Sequence, residues 1–116
     1  MLALPLLCAC VATEPVAVSP VVMRAADAVI ARAHIRATLR DPESARFQKE
    51  EQFRTAQGDQ ILCGEYNATN GFGGYVGYSP YYVRLRGGLV DAAHLSGSLA
   101  AIGCRRAREG IVNLRS

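Results

Sequence analysis

The chain has 116 residues, a net charge of +3 and four cysteines. That length holds one domain, and so mild a charge does not by itself imply nucleic acid. Half of the residues are hydrophobic, but many are alanine or valine, so the core is small and a covalent staple would help it.

Residues 1–12, MLALPLLCACVA, form a short apolar run that ends in small residues. Leu7-Cys8-Ala9-Cys10 resembles a bacterial lipobox. The resemblance makes residues 1–9 a signal-peptide remnant and Cys10 a lipidated residue. The run has no basic n-region and is shorter than an ordinary h-region, as a start assigned too far downstream would leave it. It is too short to span a bilayer. The alternative is an apolar N-terminal strand or helix of a cytosolic protein, where a free Cys-x-Cys would be odd. Residues 10–20 then read as a lipidated N-terminus and an extended, poorly ordered linker, because Pro15 and Pro20 stand among small residues.

Residues 21–40 predict one long helix, capped by Ser19 with Pro20 at its first position. Val22, Ala26, Val29, Ala33 and Ala37 follow a helical stripe, widened by Met23 and Ile30. Arg24, Asp27, His34 and Thr38 lie opposite, and Ile35 and Leu39 fall off the stripe. Asp41-Pro42-Glu43-Ser44 predicts a separate one-turn helix with Asp41 as its cap. Capping explains these residues more simply than catalytic carboxylates beside a serine nucleophile.

The segment FQKEEQFR, residues 47–54, reads as a charged edge strand with Phe47 and Phe53 on one face. After a turn at Gly58-Asp59 comes a strand whose alternation places Ile61, Cys63, Glu65 and Asn67 on one side and Leu62, Gly64, Tyr66 and Ala68 on the other. Asn70-Gly71 fits a tight hairpin turn, and Gly73, Gly74 and Gly77 mark bulges or close backbone approach. This glycine cluster is not a phosphate loop. Val76 stands where a dinucleotide fingerprint needs its third glycine, no Gly-Lys-Ser/Thr follows, and the next segment is a strand. That strand, Tyr81 to Arg86, alternates Tyr81, Val83 and Leu85 against Arg84 and Arg86.

In residues 89–101 Asp91 or Ser98 could begin short helices, and the last element reads as a short helix or strand carrying Cys104. Arg105, Arg106 and Arg108 beyond it read as a solvated basic face, with contact to lipid phosphates or nucleic acid as the alternative. No C-x-x-C occurs, and neither His34 nor His94 has ligand spacing to a cysteine, so the sequence offers no metal site and implies no cofactor. If the N-terminus is processed, Cys63 and Cys104 are the cysteines left in the body. In an oxidising compartment they would pair; in the cytosol they would be two reduced, buried thiols.

Asp41-Pro42-Glu43-Ser44-Ala45-Arg46-Phe47, then Cys63 to Asn70, then Gly73-Gly74-Tyr75-Val76-Gly77-Tyr78 resemble a DPxSAxF…CGxxNAxN…GGYxGY/F pattern. It is similar to small exported proteins of proteobacteria and their phages. The pattern spans about half of the chain and carries no agreed activity, and Tyr66 departs from the small aliphatic residue it would hold. The resemblance implies a compartment and a fold.

The expected architecture is α+β: a long N-terminal helix packed on an antiparallel sheet of three to four strands, all within residues 21–116. The expected role is structural or binding, without catalysis, in a lipoprotein held by Cys10 on the periplasmic side of a bacterial membrane. Two alternatives stand beside it. One is a nucleic-acid or anionic-ligand module that stacks bases on Tyr75, Tyr78, Tyr81 and Tyr82 beside Arg84 and Arg86. The other is a minor hydrolase using Cys63 or His34.

Overall fold

A computed structural model describes residues 15–113. The elements run β1 Pro15–Val21, α1 Ala25–Arg36, a 3-10 turn Pro42–Ser44, β2 Arg46–Thr55, β3 Gln60–Asn67, β4 Ser79–Arg86, β5 Leu89–His94, α2 Gly97–Arg108 and β6 Ile111–Asn113. The strands form one antiparallel sheet in the order β5-β4-β3-β2-β1-β6, curved into a half-barrel. This overturns the expected long helix on three or four strands. Among the described residues, no helix is long and apolar enough to cross a membrane.

The largest difference lies at the start. Residues expected to be a loose linker form β1, which pairs β2 through Val18–Thr55 and β6 through Val16–Val112. Proline is tolerated there because of its position. Pro15 opens the strand, and Pro20 lies past the end of the β6 pairing, where no neighbour needs its missing N–H. Pairing of Val21 with Gln52 then holds the chain extended, and Arg24 is still extended at φ −100°. The helix therefore begins at Ala25, and its ladder ends near Thr38, whose hydroxyl donates to the Ile35 carbonyl.

The buried face of α1 also differs from the expected stripe. Ala28, Ala31 and Ile35 face the sheet, while Val22 and Val29 are exposed. Asp27, expected in solvent, accepts a hydrogen bond from the side-chain amide of buried Gln52, and the Arg24 N–H donates to that side chain's oxygen.

The strand expected at an edge, β2, is interior, and it is bulged. Gln48 pairs with Glu65 but Glu51 pairs with Cys63, so Lys49 and Glu50 together oppose Gly64. Lys49 adopts φ 55° to make the turn. The extra residue reverses the alternation beyond it. Phe47 consequently packs on the α1 side and Phe53 on the α2 side, not on one face.

The two faces bury separate cores. Ala28, Ala31 and Ile35 of α1 cover Leu62, Tyr81, Val83 and Leu85. Ala100, Cys104 and Ala107 of α2 cover Val18, Phe53, Ile61, Cys63, Tyr82 and Val112. The alternation expected for β3 and β4 holds. Adjacent tyrosines pin the faces: a Cβ on Gly64 would meet the Tyr81 ring at 2.9 Å, and one on Gly103 would meet the Tyr82 ring at 2.8 Å.

Candidate functional site

The residues of the sequence pattern meet at one end of the sheet. There the 3-10 turn supports the β3–β4 connection, residues 68–78. The Ser44 hydroxyl donates to the Asp41 carbonyl at 2.7 Å and accepts the Thr69 N–H at 3.0 Å. The Tyr75 hydroxyl donates to the Ser44 carbonyl at 2.9 Å, and the Arg46 guanidinium lies 4.2 Å from the centre of the Tyr75 ring. Asp41 occupies the cap position, but its side chain makes no cap hydrogen bond. Its carboxylate instead accepts from the Thr69 hydroxyl at 3.3 Å, so it ties turn to loop.

Two asparagines hold the loop from within. The Asn67 side-chain oxygen accepts the N–H groups of Ala68 and Gly77, both at 2.9 Å. The Asn70 side-chain oxygen accepts those of Phe72 at 2.8 Å and Gly74 at 3.2 Å. Backbone bonds from Asn70 to Gly74 and from Gly73 to Asn70 close the tip. Asn70-Gly71 is thus part of a wider loop rather than a two-residue hairpin turn. Gly73 and Gly77 have positive φ, at 85° and 107°, whereas Gly71 and Gly74 do not. The tight two-residue hairpin is Gly87-Gly88, between β4 and β5, with φ 60° and 80°. What the fastened loop displays is apolar: Phe72 is 98% exposed and Val76 66%.

The remaining candidates lie elsewhere. Cys63 and Cys104 are bonded across the α2-side core, with Cα atoms 5.8 Å apart. Cys63 is therefore no free thiolate, and it points away from α1, the helix that carries His34. Cys10 lies outside the described residues. Of the proposed stacking tyrosines, Tyr81 and Tyr82 are buried, and Arg84 is buried and paired with Asp91 at 2.8 Å. Only Tyr75 and Tyr78 of that set reach solvent.

Several polar arrangements were not legible in the sequence. The bulge turns Glu50 inward, where its carboxylate pairs with Arg32 and accepts the Tyr81 hydroxyl at 2.7 Å. Burial, followed by this neighbouring carboxylate, pushes the Tyr81 phenol well up. Arg86 grips Asp59 with two hydrogen bonds of 3.0 and 2.9 Å and holds its carboxyl below the usual value. The Tyr66 hydroxyl donates to the Leu95 carbonyl, fastening β3 to the β5–α2 connection. That bond gives a tyrosine a use at a position expected to be small and aliphatic.

Comparison with family models, curated proteins and solved structures finds no match.

Proposed function

We propose that this is a small exported lipoprotein, held on the periplasmic side of a bacterial membrane by a lipid on Cys10, that works by binding rather than by catalysis. The bonded pair Cys63–Cys104 carries the reading. Such bonds persist in oxidising compartments and are rare where thiols are kept reduced. The pair also takes up the one cysteine that a hydrolase reading had offered as nucleophile. The loop of residues 68–78 supports a binding role. Its hydrogen bonds hold Phe72 and Val76 in water at no packing advantage to the fold, and contact with a partner would recover that exposed apolar area.

Metabolic labelling with a palmitate analogue tests the anchor, using the coding region together with its upstream sequence. The product should take up label, and Cys10→Ala should abolish it. Labelling that survives Cys10→Ala, or never occurs, would refute the reading.

A further inference from the structure

The sheet has two ends, and Pro15, the first described residue, lies at one of them. Pro15 lies at the end that also carries the β2–β3 turn and Gly87-Gly88, because β1 runs antiparallel to β2 and extends beyond Thr55. The fastened loop, residues 68–78, lies at the other end, a β3 length of about 25 Å away at ~3.3 Å per residue. Cys10 and Pro15 are separated by four residues, whose reach is at most about 18 Å. A lipid on Cys10 therefore holds the Pro15 end close to the bilayer.

The surface at that end is amphipathic and basic. Helix α2 contains three arginines and no acidic residue. Arg106 has no acidic partner among the described residues, and it lines two adjoining hollows along edge strand β6. One, of about 70 Å³, has Leu99 and Ile102 on its wall. The other, of about 350 Å³, runs past Pro15 and Ile111 and has one acidic residue, Glu109, on its wall. Leu99 is 59% and Ile111 53% exposed. Arg105 adds a second charge, held only loosely by Glu109 at 3.9 Å, while Arg108 is engaged by Glu51 at 2.8 Å. Apolar side chains beside arginines that lack close partners suit the boundary between acyl chains and anionic headgroups.

We propose that the α2–β6 edge, with Leu99, Arg105, Arg106 and Ile111, docks on an anionic phospholipid surface, so that the tethered domain lies on this edge and presents Phe72 away from the membrane. The proposal rests on the lipid anchor for its orientation. The affinity of the edge for lipid is a separate property and is measured separately.

The test uses the full chain carrying Cys10→Ala, so that no lipid contributes, and vesicles of phosphatidylcholine with or without phosphatidylglycerol. The protein should co-sediment with the phosphatidylglycerol vesicles and release as salt rises. Arg105→Glu with Arg106→Glu should weaken binding at least about ten-fold, since each basic residue at such a surface contributes about five-fold. Leu99→Ser with Ile111→Ser should weaken it as well, and thermal melting confirms that these exposed changes leave the fold intact. Phe72→Ser, at the far end, should leave vesicle binding unchanged. Undiminished binding by the arginine variant, an equal loss in Phe72→Ser, or no vesicle binding by the parent chain would each overturn the proposal. Failure of palmitate labelling alongside arginine-dependent vesicle binding would refute the anchor and leave the docking edge standing.

Discussion

Reducing the Cys63–Cys104 bond should cost the domain much of its stability. The two residues are 41 apart in sequence, and opening a loop of that size restores about 4 kcal/mol of chain entropy to the unfolded state. Domains of this size have only about 5–15 kcal/mol in total. At ~4–8 °C per kcal/mol, the melting temperature should fall by about 15–30 °C. Both cysteines are buried, Cys63 completely and Cys104 to 3% exposure, so reductant alone will act slowly. The clean comparison is protein reduced in denaturant, refolded with its thiols blocked from reoxidation, against oxidised protein in the same buffer. The doubly substituted Cys63→Ala, Cys104→Ala chain is a second arm, which adds the loss of two buried sulfur contacts. A difference under about 1 kcal/mol between oxidised and reduced protein would refute the loop-entropy argument.

Three further outcomes follow from the geometry. Asn67→Ala strips the acceptor from two N–H groups, one of them on buried Ala68, and should cost about 2–4 kcal/mol in urea unfolding. Asn70→Ala frees two exposed N–H groups that water can satisfy, so equal losses in the two variants would contradict the account of the loop. Gly77→Val forces a β-branched residue to φ 107° and should cost about 1–3 kcal/mol; Gly74→Val meets only the Asn70 side chain at 3.9 Å and should melt within a few degrees of the parent. Asp59 has its folded pKa lowered below the ordinary 3.8, first by the Arg86 hydrogen bond. The stability it contributes is complete above that ordinary value and is lost as pH falls through the lower folded one. Melting curves of Asp59→Asn should therefore show a shallower acid limb, and a limb as steep as the parent's would count against the pair.

What the sequence made legible was local. Strict alternation over Ile61 to Asn67 and Tyr81 to Arg86 gave the two interior strands β3 and β4 their faces, and Asp41-Pro42 gave the turn. The candidate pair Cys63 and Cys104 was visible by elimination. The residues of the fastened loop were visible as a pattern, but their purpose was not, because Asn67, Ser44 and Tyr75 bond to groups up to 31 positions away. Elements that depend on distant partners were misread. Residues 15–21 carry two prolines and look like a linker; they become a strand because β2 and β6 supply neighbours where the prolines need none. The bulge at Lys49 has no glycine to announce it, and it moved Phe53 to the opposite face and brought Glu50 inward. The expected helical stripe was right for Met23 and Ile30, which pack against the core, and wrong for Val22 and Val29, which are exposed, because the face that packs is set by the sheet beneath it.

Pairing of β1 with β6 also constrains the order in which the domain can be assembled as it emerges from the ribosome. Strand β1 is made first, and β2 can protect one of its edges soon afterwards. Its other edge must wait until β3, β4, β5 and α2 have all been made, because β6 follows them. Throughout that interval the nascent chain carries an open strand edge of the kind that recruits foreign strands. Cys63 likewise waits for Cys104, so the covalent closure and the last strand arrive within a few residues of each other. Completion of the sheet therefore waits until nearly all of the described chain has been made.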